Sequence, residues 1–480
     1  MEQPTLIEKI THFFESGIFI YGITLLISYS LLAILSLIAI LRFQKEDRYV
    51  DYNLLITSKI PVGISVIAPA FNEGLTIISN VRSLMNLNYP RYEVIIVNDG
   101  SSDDTLEKMI REFELVPVDF AYHKRLNTFP VRKIFRSSNA AYSKLTVVDK
   151  VNGKSKADAS NAGINAASFP YFLCTDVDCI LNKDTLLRLI KPIIDEPRKR
   201  VIATGATLRM ANSCEMDEGG ITRVRVPKRI IPRFQEVEYI RAFVLGKMGW
   251  SAINCVPNVS GGLGLFDKDI VIRAGGYDPL SFGEDMELMI RMEAFCCSQK
   301  IDYAVRYIPL SLCWTEGPST VKILRRQRIR WARGLIQLMS QHRRLLFNPF
   351  YGRLGLIVMP YNFLFELIAP VIEAVGIIYY IIMIITGNIN TPYAIMLLVF
   401  VYIYSVMITT LAILWDQITY KTYKSWRETF SLCLMPFFEM LIYHPLVMLF
   451  SLRGYFNFIT GQKHSWGNMQ RQGFSNTPKK

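Results

Sequence analysis

The chain has 480 residues, of which 51% are hydrophobic and 20% charged, and its formal net charge is +13. This composition excludes an ordinary soluble protein and also a chain that lies wholly in lipid, so we expect a soluble domain joined to membrane segments. The positive charge fits a surface that faces anionic lipid and a substrate rich in phosphate. The sequence has no basic stripe with interleaved aromatic residues, which argues against a nucleic acid partner. The eight cysteines form no CxxC pair and the five histidines show no ligand spacing, which disfavours structural zinc.

The first apolar segment predicts a membrane helix near the amino end. Residues 17–41 carry no charge, and about 20 apolar residues suffice to cross the hydrocarbon core of a bilayer. Acidic residues precede the segment and no small-residue cleavage site follows it, which disfavours a signal peptide. Arg42, Lys45 and Arg48 follow it, so the positive-inside rule places the next domain in the cytoplasm. We therefore assign residues 1–50 to a transmembrane helix and its flanks.

Three short apolar runs in the next segment predict β-strands, over residues 63–68, 93–97 and 171–174. A polar loop follows each run, and a helical pattern follows the first two loops. This alternation is typical of a mostly parallel, Rossmann-like sheet covered by helices. Ligands bind such sheets beyond the carboxyl ends of the strands. We predict an α/β domain over residues 51–333, with three carboxylate-bearing strand ends at one edge.

Asp176 and Asp178 flank one valine directly after the third predicted strand. Because side chains alternate along an extended chain, both carboxylates point the same way. Two such carboxylates suit a hard divalent cation that is shared with substrate phosphates. A strand-end turn stabilised by aspartate is the alternative, and both interpretations stay open for these two residues alone.

Glu73 and Asp99 follow the first two predicted strands, where each could accept hydrogen bonds from a ligand or cap a turn. Lys154 and Lys156 open a helix of small residues. A lysine beside free backbone N–H groups suits a diphosphate, although a solvated lysine is the common case.

Gly283, Glu284 and Asp285 precede an amphipathic helical pattern. First-turn acids are ordinary partners of the helix dipole. The functional alternative is a carboxylate that takes a proton from an acceptor hydroxyl.

Gln327, Arg330 and Trp331 lie in a strongly basic segment just before the sequence becomes apolar. Arginine offers a planar set of donors suited to phosphate, and tryptophan offers a flat face on which a sugar ring can stack. The alternative is a basic helix at the membrane surface with an aromatic anchor. We assign residues 334–353 to such an interfacial amphipathic helix.

The carboxyl-terminal part, residues 354–452, is predicted to be a membrane region. Its apolar runs cover residues 354–386, 393–415 and 430–452, and only the middle run is free of charge. The tail over 453–480 is basic without acids, so the positive-inside rule favours an even number of crossings after residue 353.

Six motifs occur in one order, and together they make the chain resemble the processive family-2 glycosyltransferases. The resemblance is to the membrane-integrated group that contains cellulose, hyaluronan, chitin-oligosaccharide and poly-N-acetylglucosamine synthases. The motifs of the resemblance lie within residues 60–350, and the arrangement of membrane segments on either side also matches the group. In chain order the motifs are Pro69-Ala70-Phe71-Asn72-Glu73, Asn98-Asp99-Gly100-Ser101, Lys156-Ala157-Asp158, Asp176-Val177-Asp178, Gly283-Glu284-Asp285 and Gln327-x-x-Arg330-Trp331.

The resemblance implies a GT-A fold and a role for each motif residue. It implies that the donor is a UDP-sugar, bound by the side chains of Phe71, Glu73, Asp99, Lys156, Asp158 and Asp176. It implies a Mg²⁺ or Mn²⁺ ion on Asp176 and Asp178, with Asp178 favoured as the direct ligand. The implied general base is Asp285 beside Glu284, and the implied acceptor and diphosphate end comprises Gln327, Arg330 and Trp331.

The resemblance further implies a single inverting displacement, in which the base deprotonates an acceptor hydroxyl and UDP leaves. The acceptor is either a growing β-linked polysaccharide, exported through the membrane region, or a membrane lipid. A small accessory membrane subunit is a further partner to test. Residues 119–149 depart from the best-known synthases as an extra stretch, and the gating-loop motif of cellulose synthase has no clear match. Intact carboxylate motifs disfavour a catalytically silent scaffold.

Overall fold

The computed structural model describes residues 6–57, 61–217 and 220–462. In chain order the strands are β1 (Ile64–Ala70), β2 (Tyr92–Asn98), β3 (Leu115–Val118), β4 (Val131–Ser137), β5 (Leu145–Lys150), β6 (Tyr171–Cys174), β7 (Ile180–Leu181), β8 (Arg200–Met210), β9 (Glu215–Asp217), β10 (Gly220–Arg223), β11 (Gly264–Asp267) and β12 (Tyr303–Thr315).

The α-helices are α1 (Leu6–Asp47), α2 (Tyr52–Ile56), α3 (Ile77–Met85), α4 (Thr105–Glu112), α5 (Lys156–Ala166), α6 (Thr185–Asp195), α7 (Ile230–Ile240), α8 (Met248–Ala252), α9 (Lys268–Arg273), α10 (Glu284–Ser298), α11 (Val321–Gln341), α12 (Met359–Tyr361), α13 (Ala369–Ile385), α14 (Thr391–Tyr420), α15 (Trp426–Cys433), α16 (Met435–Phe438) and α17 (His444–Ile459). Wider π-helical turns join some of them, at Arg241–Lys247, Leu354–Val358, Asn362–Leu367 and Glu439–Tyr443. Short 3₁₀ turns lie at Ala140–Tyr142, Arg343–Leu345 and Pro349–Tyr351.

One ten-stranded sheet forms the centre of the soluble domain, in the order β3-β4-β5-β2-β1-β6-β11-β8-β12-β7. The four strands from β5 to β6 run parallel to one another, and they are almost wholly buried. Both flanks contain antiparallel pairs, because β4 forms hairpins with β3 and β5, and β11 lies antiparallel between β6 and β8. The predicted α/β fold is confirmed, with a parallel centre inside a mixed sheet.

The three predicted strands are confirmed as β1, β2 and β6, and they are direct neighbours. Ile64 at the start of β1 pairs in register with Tyr92 of β2 and Tyr171 of β6. Parallel strands in this register end at the same edge of the sheet. The polar residues that follow them are therefore brought together, as the pattern of apolar runs predicts.

Residues 119–149 are built into the sheet. They contribute all of β4 and most of β5, which continue the sheet beyond β2. The loop before β4 is fastened to α5, because Asn165 Oδ1 accepts hydrogen bonds from the backbone N–H groups of Arg125 and Leu126 at 3.0 Å each. The stretch that departs from the best-known synthases therefore borders the predicted ligand edge.

Four helical stretches of the described chain are long and apolar enough to cross a membrane by length and composition. They cover Phe13–Asp47, Leu354–Ile385, Thr391–Tyr420 and Trp426–Ile459. The first corresponds to the predicted amino-terminal helix and the others to the three apolar runs. The last stretch is longer than its apolar run, because α15 joins the helices that follow it across Pro436.

Helix α11 runs without a break across residues 333 and 334. Residues 334–341 continue it, and two 3₁₀ turns rather than a separate helix fill most of the remaining distance to Leu354. At the carboxyl end, α17 continues to Ile459. The predicted basic tail over residues 453–480 lies outside the described residues from position 463 onward.

Candidate active site

The loop after β1 is held against the loop after β2 by backbone and side-chain hydrogen bonds. Asn72 donates its N–H to Ser101 Oγ at 3.0 Å and accepts from the N–H of Ser102 at 2.8 Å. The Glu73 N–H donates to the hydroxyl of Thr105 at 2.9 Å. The Phe71 side chain is 41% exposed, so its ring is open to a ligand at this edge.

A buried lysine joins two of the predicted carboxylates. Lys150 Nζ lies 2.5 Å from Asp99 Oδ1 and 2.6 Å from Asp158 Oδ2. The N–H of Gly153 also donates to Asp99 Oδ1, at 3.0 Å. Lys150 was not predicted, although its place at the end of an apolar strand, just before the glycine-lysine motif, is a usable signal. It neutralises much of the negative charge at the ends of β2 and α5.

Phe129, from the loop before β4, belongs to the same cluster. Its backbone N–H donates to Asp158 Oδ1 at 3.1 Å, and its ring centroid lies 5.8 Å from Lys150 Nζ. The side chain is half exposed. The 119–149 stretch thus supplies a second open aromatic ring to the edge that carries Phe71.

Lys156 and Asp176 form an ion pair at the start of α5. Lys156 Nζ lies 2.5 Å from Asp176 Oδ1 and donates to the carbonyl of Gly261 at 2.9 Å. Burial opposes the lysine's charge, but the Asp176 carboxylate and the other negative groups around it together outweigh that effect and raise the pKa of Lys156 above its ordinary value. Lys156 is therefore a permanent cation at this edge. Lys154, the other predicted lysine of the motif, has no such contact among the described residues.

Asp176, Asp178 and Cys179 place ligand atoms within 4.8 Å of one another. Asp178 is buried, whereas the Asp176 carboxylate is partly open. Two converging carboxylates fit a hard divalent cation, and the thiol is not needed for one. The residues present therefore fit the ion that the resemblance implies.

Two consecutive glycines connect this ion pair to the predicted base. A Cβ atom built on Gly261 would lie 3.4 Å from Asp285 Oδ2, and one built on Gly262 would lie 3.6 Å from Asp176 Oδ2. The Gly262 carbonyl also accepts a hydrogen bond from the Thr175 hydroxyl at 2.8 Å. The turn at residues 260–263 therefore separates the two carboxylates by little more than its own backbone. Sequence reasoning missed it.

Glu284 and Arg330 form the opposite wall. Arg330 Nη1 lies 3.9 Å from Glu284 Oε2 and donates to the carbonyl of Phe282 at 3.1 Å. Burial raises the pKa of Glu284, while the positive charges of Arg330 and Lys156 oppose that rise. Glu284 therefore lies within electrostatic reach of both cations, which places the predicted lysine and arginine motifs around one space.

Helix α11 holds the loop that leads into α10. Gln337 accepts from the Phe282 N–H and donates to the Leu280 carbonyl, both at 3.0 Å. Gly334 packs directly on Gly283, since a Cβ atom there would lie only 2.9 Å from the Gly283 nitrogen. Contacts of this kind leave no periodic pattern, and sequence reasoning did not identify either residue.

Gln327 contacts α7, and the Trp331 ring lies beside Arg328 of its own helix. Gln327 Oε1 accepts from Gln235 Nε2 at 3.3 Å. The Trp331 ring lies 4.4 Å from the guanidinium of Arg328. Among the residues of this motif, Arg330 is the one whose charge directly meets the Glu284 side of the site.

Arg328 has a structural role. Its two Nη atoms meet the Glu238 carboxylate at 2.8 and 2.5 Å, and Nη2 lies 2.9 Å from the hydroxyl of Tyr443. Although burial works against ionisation, Arg328 holds the pKa of Glu238 below its ordinary value. These contacts make Arg328 a structural link between α11, α7 and the last membrane stretch.

The comparisons with known proteins agree with this geometry. The model of glycosyl transferase family 2 matches residues 65–207, and that of glycosyl transferase family group 2 matches residues 226–416. A poly-β-1,6-N-acetyl-D-glucosamine synthase of Staphylococcus epidermidis is 29% identical over 57% of this chain and 54% of its own length. One from Staphylococcus aureus strain COL is 28% identical over the same shares. The chain thus spans about half the length of these relatives.

A solved structure shares the fold. The mannosyltransferase PcManGT from Pyrobaculum calidifontis, in complex with GDP-Man and Mn²⁺, aligns with 91% of this chain and 99% of its own. The TM-score is 0.51 and the sequence identity 16%, so the likeness concerns the fold alone.

Replacing Arg328 by methionine should destabilise the protein by about 3–5 kcal/mol, because the Glu238 carboxylate would be left buried without its partner. Arg326→Met is the matched control, since Arg326 is exposed on the same helix. Thermal unfolding in detergent measures both. Equal melting temperatures for the two variants would contradict a structural role for Arg328.

Proposed function

Because the chain belongs to the family-2 glycosyltransferases, we propose that it transfers a sugar from a UDP-sugar to the end of a growing β-linked polysaccharide, with inversion at the anomeric carbon. One observation carries this proposal. Asp285 lies against the Gly261–Gly262 turn, whose other side meets Asp176 and Lys156. A proton acceptor and a diphosphate-binding edge therefore share one small space.

The nucleoside end of the donor binds at the ends of β1 and β2. Asp99 and Asp158 offer carboxylate oxygens there, and their shared contact with Lys150 orients both groups. Phe71 and Phe129 offer exposed rings on which a base can stack. Glu73 completes the loop that presents Phe71, because its backbone caps the start of α3.

The leaving diphosphate meets the cationic groups of the site. Lys156 and Arg330 are placed to take up its negative charge as the bond to the sugar breaks. Asp176 and Asp178 would hold a Mg²⁺ or Mn²⁺ ion, which when bound supplies further positive charge next to the phosphates. Asp285 receives the proton of the acceptor hydroxyl as that oxygen attacks the anomeric carbon. Gln327 and Trp331 follow the same helix towards α7, where the acceptor would extend away from the reacting groups.

The polymer is proposed from the names of the relatives, poly-β-1,6-N-acetyl-D-glucosamine synthases, which also make N-acetylglucosamine the sugar to test first. The four apolar helices favour a multi-pass protein of the cell membrane, whose catalytic domain faces the cytoplasm and whose membrane region exports the product. A small accessory membrane subunit would be an additional partner.

The function is tested with purified protein in lipid, supplied with Mg²⁺ or Mn²⁺ and a panel of radiolabelled UDP-sugars. We expect label from UDP-N-acetylglucosamine to enter a ladder of water-soluble chains that a β-specific glycosidase degrades. Label confined to organic-extractable lipid would instead establish the second candidate, a glycolipid or polyprenyl-phosphate sugar synthase, and overturn polymer synthesis.

Asp285→Asn should lower the transfer rate by about 100- to 10,000-fold, because the amide cannot accept the acceptor's proton. Binding of UDP, measured by isothermal titration in detergent, should be unchanged. Asp302→Asn is the control, since Asp302 is an exposed residue of the loop before β12. Appreciable turnover by the Asp285 variant would refute its assignment as the base.

Asp178→Asn should weaken binding of Mn²⁺, measured by electron paramagnetic resonance in the presence of UDP, by about tenfold or more. UDP binding in EDTA should not change, because the lost carboxylate acts on the cation. The matched control is Asp195→Asn, an exposed carboxylate at the end of α6. An unaltered Mn²⁺ signal would exclude Asp178 as a ligand.

A further inference from the structure

Lys247 ends the π-helical turn that joins α7 to α8. This turn packs on the first membrane helix, where Ser36 Oγ donates to the carbonyl of Val244. One turn later, a Cβ atom on Gly249 would lie 2.6 Å from the carbonyl oxygen of Leu32, so α8 touches α1 backbone to backbone. Lys247 is therefore held on a rigid support between the membrane helix and the catalytic domain.

The Lys247 ammonium lies in an aromatic pocket without a carboxylate partner among the described residues. Nζ is 4.8 Å from the ring centroid of Phe243 and 5.6 Å from that of Tyr307. It lies 3.1 Å from Ser260 Oγ, to which it donates. Burial lowers the pKa of Lys247 to about 8, and the negative charge of Asp285 opposes that fall.

Ser260 begins the turn that carries Gly261 and Gly262. The turn is closed by the Leu263 N–H, which donates to the Ser260 carbonyl at 3.0 Å. At Gly261 the same turn leaves no more than the room of a methyl group before the Asp285 carboxylate, since a Cβ atom built there would lie 3.4 Å from Asp285 Oδ2. Lys247 and Asp285 thus border one four-residue turn at two adjacent positions.

We infer that Lys247 is a positioning residue for Asp285: it fixes the Ser260–Leu263 turn beside the base and places a positive charge on the side nearest the first membrane helix. The inference rests on the proposed function, in which Asp285 accepts the acceptor's proton. That reaction requires an ionised carboxylate. A nearby ammonium favours the ionised form, and a fixed turn limits where the acceptor hydroxyl can lie.

The other charged groups near the π-helical turn that carries Lys247 form ion pairs or hydrogen bonds with other residues. Arg241, at the start of the same turn, is paired with Glu439 and donates to Thr409. From β8, Arg209 is paired with Glu236 and Asp416. Tyr307 from β12 donates its hydroxyl to the Ala206 carbonyl, and Tyr29 from α1 lies near Arg241. Among the described residues of this π-helical turn, Lys247 is therefore the cation that interacts electrostatically with Asp285.

The first test is the pH dependence of sugar transfer. Lys247→Met should lower kcat about 100-fold at neutral pH while leaving the KM for the donor unchanged. In the wild type kcat should fall as the pH rises through about 8, where Lys247 loses its charge. Lys247→Arg keeps the charge and should remove that fall, whereas Ser260→Ala should lower kcat and keep it. An alkaline fall of the same size in the wild type and in Lys247→Arg would show a merely structural role and overturn the inference.

The second test needs no turnover. In protein labelled with [ε-¹³C]lysine, the signal that Lys247→Arg removes identifies Lys247 by NMR. It should titrate near pH 8 in the wild type and about half a pH unit lower or more in Asp285→Asn, because an attracting charge is lost. The same midpoint in both proteins would overturn the inference. A shifted midpoint in a protein that transfers no sugar would support the coupling and refute the proposed function alone.

Discussion

The buried ion pair between Arg328 and Glu238 is the contact on which the geometry of the site depends. It fixes one side of α11 to α7 and, through Tyr443, to the last membrane stretch. The other side of the helix carries Arg330, Gly334 and Gln337, which hold the loop before Asp285. A helix with both sides committed cannot rotate or slide, because either movement would leave a buried charge without its partner. The position of Asp285, the proposed base, is thus set by packing against the membrane region.

The same physical requirement recurs along the junction. Arg209 of β8 is almost wholly buried and meets Glu236 of α7 and Asp416 of α14, while Arg241 meets Glu439. The pairs with Asp416 and Glu439 join the soluble domain to membrane helices, and Glu236 fixes Arg209 to α7 beside them. Buried charges tolerate very few arrangements, so these contacts specify how the two parts assemble more than they add to stability. These buried ion pairs therefore join the soluble domain to the membrane helices around the candidate site.

The sequence predicts most of the parts of this site and few of the contacts between them. The strands β1, β2 and β6, the carboxylates that follow them and the apolar helices are readable because periodicity and strand-end chemistry are local properties. The Gly261–Gly262 turn and Gly334 are not, since their importance arises from a distant segment that approaches within a few ångströms. Arg328 and Arg330 differ by two positions and have the same chemistry. Only the three-dimensional packing separates a structural arginine from one that faces the site.

Charge pairing within the site distinguishes the predicted base from its neighbours. Asp99 and Asp158 share Lys150, Asp176 is paired with Lys156, and Glu284 faces Arg330. Among the described residues, no lysine or arginine lies within ion-pair distance of Asp285, whose carboxylate accepts a hydrogen bond from the Met286 N–H. A carboxylate in a tight ion pair is a poor proton acceptor, because protonation would forfeit the attraction of its partner. Asp285 has no such partner among the described residues. Its carboxylate therefore differs from those of Asp99, Asp158, Asp176 and Glu284 in the way that the proposed role of a proton acceptor requires.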